Sequence, residues 1–151
     1  MSAEERLKTL GIELPEALLP LGSYVPAVKT GNLIFLSGIL PLVHGKLLRQ
    51  GKVGDDISVD DAREDARAAT INALSVLKAE TGSLDRVKRC VKITGYIASA
   101  PDFTEQPKVL NAASDLIREI WGESGRHARA AIGVTVLPLN SPVEIEFIFE
   151  V

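Results

Sequence analysis

The amino-acid sequence predicts an α+β fold, in which a single mixed sheet carries two helices packed on one face. Two segments of the 151-residue chain have apolar residues at helical spacing, so each has one apolar stripe that needs a partner. Six other segments are expected to form strands, one of which is short. The segments follow the order strand, strand, short strand, helix, strand, helix, strand, strand. One sheet with both helices on the same side gives each stripe a surface to cover.

We expect one domain over residues 1–151, beginning with an extension of residues 1–21 that contains a short helix at 2–10. The N-terminus is acidic and amphipathic, whereas a secretory signal starts basic and continues into an apolar stretch. The sequence contains no apolar run of about 18 residues that could span a membrane. These features predict a cytoplasmic protein.

The segment YVPAVKTGNLIFLSG, residues 24–38, predicts a β-hairpin. Its two strands meet at KTGN, where Gly31 and Asn32 suit the positive φ angles of a tight turn. Residues 45–56 are expected to add a short strand between glycines. The hairpin therefore supplies two neighbouring strands of the sheet.

Residues 58–80 predict the first long helix, because Ser58 and Asp61 resemble a capping box and the apolar residues that follow form one face. A strand is expected over 86–99. The second helix is predicted over 107–121, with its stripe running to the tryptophan. Each helix is followed by a glycine suited to a helix C-terminus: Gly82 and Gly122.

The last two strands, 127–137 and 142–151, separate into two faces by alternation. We expect their apolar sets to face the helices, with Arg129 and Glu144 together on the opposite face. The strand NLIFLSG is apolar on both faces, so its second face also needs a cover. A second copy of the chain is the expected cover, over a surface that includes three apolar side chains: Ile34, Leu36 and Ile148.

The composition excludes several classes of protein and site. A net charge of −3 and an isoelectric point near 5.4 argue against a protein that binds nucleic acid by neutralising phosphates. The basic run at 86–92 is interpreted as a charged strand edge. Cys90 is the only cysteine, which excludes an intramolecular disulfide and a cysteine-rich metal site. We expect no metal, no cofactor and no membrane partner.

Arg129 is unusual because its neighbours in the strand are too small to cover a fixed charge. Ala130, Ala131 and Gly133 leave space around the guanidinium. A charge that lines a cavity between subunits is suited to a ligand of opposite sign. The residues alone therefore predict a site for a negatively charged ligand, although an inward salt bridge from Arg129 to Glu144 or Glu146 is the alternative.

Five pieces of the sequence together resemble one known family, the reactive intermediate deaminases, also called the YjgF family. They are GSYVPAV at 22–28, NLIFLSGILP at 32–41, Asn111 in the second helix, HARAAIGVTVLP at 127–138, and VEIEFIF at 143–149. The resemblance implies a chorismate-mutase-like fold and a homotrimer with three clefts between subunits. It also implies hydrolysis of reactive enamines or imines, the 2-imino acids, to 2-keto acids and ammonia without metal or cofactor.

The resemblance also implies the roles of individual residues. Arg129 matches the arginine that grips the substrate carboxylate, and Glu144 matches the glutamate that positions the attacking water. These two are the expected catalytic residues. The expected substrate-binding residues are Tyr24, Ser37, Gly38, Asn111 and Ala131. On the residues alone, Glu144 could equally be a solvated strand glutamate, Asn111 a surface residue of its helix, and Ser37 a strand-end hydroxyl bonded to backbone.

Three departures from the family pattern leave the reaction open. Ile39 stands in place of a common glutamine, Ala130 and Ala131 in place of Ser-Cys, and Arg126 and His127 in place of an apolar residue and proline. A larger or drier pocket is expected to favour apolar side chains. The alternative function is non-catalytic binding or sensing of small carboxylate metabolites, and an endoribonuclease or translation inhibitor is a weaker one. The two histidines are assigned no catalytic role.

Overall fold

Three α-helices and seven strands are present in the described part of the chain, residues 1–20 and 22–151, of the computed structural model. The last position of the expected N-terminal extension, residue 21, lies outside the described residues. The helices are α1 (Ala3–Thr9), α2 (Val59–Thr81) and α3 (Gln106–Trp121). The strands are β1 (Ala27–Thr30), β2 (Leu33–Leu36), β3 (Leu42–Val43), β4 (Lys46–Leu47), β5 (Arg89–Ala98), β6 (Ala128–Val134) and β7 (Val143–Glu150). None of the helices found in these residues is long and apolar enough to cross a membrane.

The main sheet has five strands in the order β1-β2-β7-β5-β6. Strands β5 and β6 are parallel and the other neighbours are antiparallel, so the sheet is mixed, as predicted. Helices α2 and α3 pack against each other and against the same face of the sheet. The short strands β3 and β4 pair separately, and β4 is the short strand expected over 45–56.

The predicted helix ends are confirmed by their hydrogen bonds. The Ser58 hydroxyl accepts a hydrogen bond from the Asp61 amide at 3.1 Å and caps the first turn of α2. Gly82 ends α2 in the left-handed region, with a φ of 80° that disfavours a side chain. In the β1–β2 turn, Gly31 has the positive φ that was expected, but Asn32 does not; its amide instead donates to the Glu150 carboxylate at 2.9 Å.

The faces of β6 are the reverse of those predicted. Arg129, Ala131 and Gly133 face the helices, because β6 pairs in register with the buried Ile93–Ile97 side of β5. A Cβ at Gly95 or Gly133 would collide with side chains of α3, so this helix packs too close for large residues beneath it. The larger residues of β6 therefore point to the open face, where Ile132 is 40% exposed.

The faces of β2 are also the reverse of those predicted. Ile34 and Leu36 are buried beneath the helices, whereas the expectation placed them in a subunit interface. Ile34 lies opposite the buried Phe149 of β7, and Phe35 lies opposite Ile148 on the open face. Phe35 is 40% exposed there. The open face thus carries apolar side chains, but they are Phe35 beside Ile148 and, on the edge strand β6, Ile132.

Candidate functional site

The end of the β1–β2 hairpin is held by backbone and hydroxyl hydrogen bonds. The Ser37 hydroxyl donates to the Val25 carbonyl at 2.6 Å, and the Ser37 amide donates to the Pro26 carbonyl at 2.9 Å. Ile39 then exchanges two backbone hydrogen bonds with Ile145 of β7, at 2.8 and 3.0 Å. These bonds fix the intervening residue, Gly38, beside the strand that carries Glu144.

Gly38 and the Glu144 side chain are in close contact. A Cβ placed on Gly38 would overlap the Oε1 atom of Glu144 and would lie 2.9 Å from its Cδ atom. Real side chains do not approach that closely. Glycine at this position is therefore what allows the carboxylate to lie against the backbone of the hairpin end.

The Glu144 carboxylate borders an apolar cavity of about 280 Å³. Tyr24, Ser37 and Gly38 line the same cavity. Two of its walls, Leu40 and Leu42, are fixed because the buried Asn72 amide of α2 donates to both of their carbonyls, at 3.0 and 2.8 Å. The remaining lining residues are mostly apolar: Leu18, Leu19, Pro20, Pro26, Ile39, Val76 and Pro138.

The environment of Glu144 raises the pKa of its carboxyl group above the ordinary value. Burial is the main cause, and the negative charge of Glu146 on the same face adds to it. Glu146 itself accepts a hydrogen bond from the Tyr96 hydroxyl at 2.9 Å, which raises the pKa of Tyr96. Glu144 is therefore a carboxylate that exchanges a proton closer to neutrality than a solvated glutamate does.

Replacement of Gly38 by alanine tests this contact. The new methyl group displaces a carboxylate at the end of a flexible side chain, so we expect Gly38→Ala to fold while Glu144 moves toward solvent. The pKa of Glu144 then falls toward its ordinary value, because burial is what raises it. A carboxyl ¹³C titration of Glu144 by NMR in the parent and the variant measures this. An unchanged Glu144 titration in the variant contradicts the contact.

Arg129 lies at a different place in the chain, at the edge strand β6 beneath α3. Its Nη1 atom donates to Oδ1 of Asn111 at 2.7 Å and to Oγ of Ser114 at 3.2 Å. Asn111 and Ser114 are one helical turn apart, so both side chains point from α3 to the same spot. Both of these hydrogen bonds to described residues are made by Nη1. The Nε–Nη2 edge has the geometry that pairs with a carboxylate.

A histidine extends this network. Nδ1 of His127 lies 2.7 Å from the Gly125 carbonyl, which can only accept, so Nδ1 carries the hydrogen of the neutral ring. Nε2 then accepts from the Ser114 hydroxyl at 2.9 Å, and Ser114 in turn accepts from Arg129. Burial, and the positive charges of Arg129 and Arg118, lower the pKa of His127, which favours this neutral form.

Arg129 and Glu144 lie on opposite faces of the sheet, so the expectation that they share a face is wrong. Glu144 is opposite Tyr96 in β5, and Arg129 is opposite Ile93. Two strand spacings and three residues of rise separate their backbones by on the order of 14 Å. Arg129 also does not form the salt bridge to Glu144 or Glu146 that was the alternative; its partners are Asn111 and Ser114.

The expected site residues therefore form two half-sites within one chain. Tyr24, Ser37 and Gly38 join Glu144 at the apolar cavity, and Asn111 joins Arg129. Ala131 lies on the same face as Arg129, but it packs against the hydrophobic core rather than lining either half-site.

The sequence analysis missed three residues beside Arg129: Ser114, Arg118 and His127. The signal was present for two of them, since Asn111, Ser114 and Arg118 recur at helical spacing on one face of α3. His127 was set aside because it departs from the family pattern, although it lies two residues from Arg129. In the part of the chain that the structure describes, no three histidine, cysteine or carboxylate side chains come together as metal ligands.

Comparisons with known proteins show which family the chain resembles in sequence and in fold. A family model described as "YjgF/chorismate mutase-like, putative endoribonuclease" matches residues 4–151. Protein TCP17 of Trypanosoma cruzi is 42% identical over 145 residues, which cover 95% of this chain and 91% of that protein. The 2-iminobutanoate/2-iminopropanoate deaminase of Dermatophagoides farinae is 31% identical over 137 residues, covering 91% of this chain and 92% of that protein.

A solved structure matches over nearly the whole chain. The protein Atu1372 of Agrobacterium tumefaciens, whose function is unknown, superimposes with a TM-score of 0.91 at 45% sequence identity. The match covers 99% of this chain and 92% of that chain.

Proposed function

The chain belongs to the YjgF/chorismate mutase-like family and has its α+β fold, and on this basis we propose that it hydrolyses 2-imino acids to 2-keto acids and ammonia. The observation that carries the proposal is a pair of complementary half-sites. One presents a guanidinium edge suited to a carboxylate, and the other a carboxylate with a raised pKa beside an apolar cavity. A deaminase of this substrate class is among the relatives.

Arg129 holds the substrate carboxylate in this proposal. Asn111 and Ser114 fix Nη1 of the guanidinium, so the Nε–Nη2 edge is presented in one orientation. Two parallel hydrogen bonds from this edge to a carboxylate define both the position and the plane of the substrate. The imine carbon next to that carboxylate is thereby placed relative to the protein.

Glu144 moves the protons. Its carboxylate takes a proton from water as the water oxygen bonds to C2 of the protonated imine and the C=N π electrons move to nitrogen, which gives a neutral carbinolamine. The same carboxyl group then returns that proton to nitrogen, and the C2–N bond breaks with its electron pair on nitrogen so that ammonia leaves. The regenerated carboxylate takes the proton of the C2 hydroxyl as its oxygen becomes the keto group. A pKa raised toward the working pH lets one group serve each of these steps.

The site is completed by a second subunit, because Arg129 and Glu144 of one chain face opposite sides of the sheet. The open face carries the apolar side chains of Phe35, Ile132 and Ile148, which a second copy covers. We propose a homotrimer in which each cleft takes Arg129 from one chain and Glu144 from the next. Sedimentation equilibrium at micromolar concentration measures this, and a lone 16.2 kDa species contradicts it.

The cavity beside Glu144 favours substrates with apolar side chains. Ile39, Leu40 and Leu42 line it, and no charged residue other than Glu144 is among its described walls. Burial of an apolar side chain there stabilises the complex by about 0.8 kcal/mol per methylene. The imino acids of leucine and methionine are therefore expected to be better substrates than that of alanine.

The wild-type assay generates imino acids in place with an amino-acid oxidase and traps those that survive as semicarbazones. We expect the protein to lower the yield of semicarbazone and to raise keto acid and ammonia, most strongly for leucine and methionine. Heat-denatured protein is the control. If trapping is unchanged with every amino acid tested at protein concentrations equal to the oxidase, the hydrolase proposal fails.

Ile39 favours a second candidate function, the binding of small carboxylate metabolites without turnover. Its apolar side chain lines the cavity. The resemblance to the family implies a glutamine at this position. If the trapping assay shows no hydrolysis but calorimetry shows that leucine-derived 2-keto acid binds and that Arg129→Ala abolishes the binding, this second function replaces the first.

A further inference from the structure

Three arginines meet in one recess on the outer side of the Arg129 half-site. Arg118 from the last turn of α3, Arg126 before β6 and Arg129 within β6 line an open depression of about 320 Å³. Ser114 and His127 complete its lining. We call this depression the arginine recess.

The arginine recess has excess positive charge. No carboxylate is among the residues that line it. Arg126 forms one ion pair, with Glu123 at 3.5 Å, but both side chains are largely exposed and such pairs contribute little. Arg118 has no side-chain partner among the described residues. The dipole of α3 favours a positive charge in its last turn, which explains Arg118 but not Arg126 or Arg129. Like charges in one recess repel each other unless an anion neutralises them.

The recess is also held in shape. Arg129 is fixed by Asn111 and Ser114, and Ser114 is fixed by His127, whose ring is anchored on the Gly125 carbonyl. The charges of Arg129 and Arg118 both act on His127 and lower its pKa, so His127 reports the positive potential of the recess. A rigid group of donors with net positive charge binds anions with little loss of conformational entropy.

We infer that the arginine recess binds a doubly charged phosphate group, either free phosphate or the phosphate of a small monoester. Phosphate offers three acceptor oxygens to three guanidinium groups, and arginine pairs with it through two parallel hydrogen bonds. The recess is wider than a single phosphate group needs, which leaves room for the organic part of a monoester. RNA is less favoured, because the three arginines line one recess rather than an extended groove that could follow several phosphates. The net charge of −3 also disfavours a polyanion.

Phosphate in the recess competes with the proposed substrate, since Arg129 belongs to both. This consequence rests on the proposed function, whereas the binding itself does not. Phosphate is expected to raise KM for imine hydrolysis without changing kcat. A metabolite with a phosphate group that occupies the recess would thus block the binding of carboxylates to Arg129.

The direct test uses the two histidines of the chain as NMR reporters. His127 lines the recess, and His44 lies in the β3–β4 turn and serves as the internal reference. Burial and the charges of Arg129 and Arg118 lower the pKa of His127. A bound dianion attracts the protonated ring, so inorganic phosphate or phenyl phosphate is expected to raise the pKa of His127, whereas the ring signals of His44 at fixed pH do not move. Equal shifts of both histidines, or no shift of His127, overturn the inference.

Charge-neutralising variants identify the ligand groups. We expect Arg118→Gln to weaken phosphate binding in calorimetry about tenfold, which is the loss of one charge-assisted contact. Arg67→Gln, which removes an arginine of α2 paired with Glu119 at 4.0 Å, is the matched control and leaves the affinity unchanged. Arg118→Gln is also expected to reduce the factor by which phosphate raises KM, with each variant compared with its own kinetics in phosphate-free buffer.

The remaining outcomes separate the inference from the proposed function. If no imine is hydrolysed but phosphate still shifts His127 and requires Arg118, the proposed function fails and the phosphate site stands. Single-stranded RNA and glutarate, a dicarboxylate, are tested as alternative anions. If either one binds in a way that requires Arg118, while phosphate and phenyl phosphate do not bind, the inference of a phosphate site is wrong. Binding unaffected by Arg118→Gln also overturns it.

Discussion

Replacement of Arg129 by alanine is expected to lower kcat/KM for imine hydrolysis by at least about 100-fold, mostly through KM. The variant loses two charge-assisted hydrogen bonds to the substrate carboxylate, each of which contributes about 1.5 to 3 kcal/mol. It should still fold, because Arg129 is exposed and its partner Asn111 is exposed and can bond to water. The semicarbazide-trapping assay gives the kinetics, and circular dichroism checks the fold.

Two further variants show whether the charge or the geometry of Arg129 matters. Arg129→Lys keeps the charge but cannot form two parallel hydrogen bonds, so we expect it to recover little of the lost activity. Arg67→Ala removes an arginine from α2 that lines neither half-site, and it should behave like the parent. Parent-like kinetics in Arg129→Ala would mean that Arg129 has only the structural contacts seen with α3.

Replacement of Glu144 by glutamine is expected to lower kcat by about 100- to 1000-fold, the usual contribution of a general base. Glutamine keeps the size of the side chain beside Gly38 but cannot take a proton from water. Binding of the substrate carboxylate is not expected to change, since Arg129 is intact. Glu150→Gln changes another glutamate on the same face of β7 and is the control, with activity close to that of the parent.

The pH profile gives an independent check on Glu144. Its negative neighbour Glu146 helps to raise the pKa of Glu144, so Glu146→Gln should lower that pKa. If ionised Glu144 is the base, the acidic limb of the profile then moves to lower pH. The same limb in the parent and in Glu146→Gln would indicate that another group limits the rate.

The two largest effects combine in a test of the shared cleft. Arg129→Ala chains and Glu144→Gln chains are each expected to have strongly lowered activity, but a mixed trimer contains a cleft with Arg129 from one kind and Glu144 from the other. Co-expression of the two variants with different tags, followed by double purification, should therefore restore part of the activity. No recovery in mixed oligomers contradicts a site built from two subunits.

The helices and strands, and their order along the chain, could be predicted from the sequence alone. Helices α2 and α3, the β1–β2 hairpin and the strands that carry Arg129 and Glu144 all lie close to their predicted ranges. These elements were predictable because their signals are local: an N-terminal hydroxyl at Ser58, a left-handed glycine at Gly82, and one apolar stripe in each helix. The residues that resemble the family were equally visible in the sequence.

Which face of each strand the helices cover could not be predicted from the sequence and is seen only in the folded chain. Both faces of β2 are apolar, and the helix-facing side of β6 has small residues because α3 packs directly above it. Alternation therefore separates the residues of each strand into two faces but does not show which face is buried. That choice puts Arg129 and Glu144 on opposite sides of the sheet and divides the expected site into two halves. It also brings Arg118 and Arg126 beside Arg129, since their meeting depends on how the C-terminal turn of α3 lies over the start of β6. Local sequence patterns contain no information on such contacts between elements, which are fixed by packing.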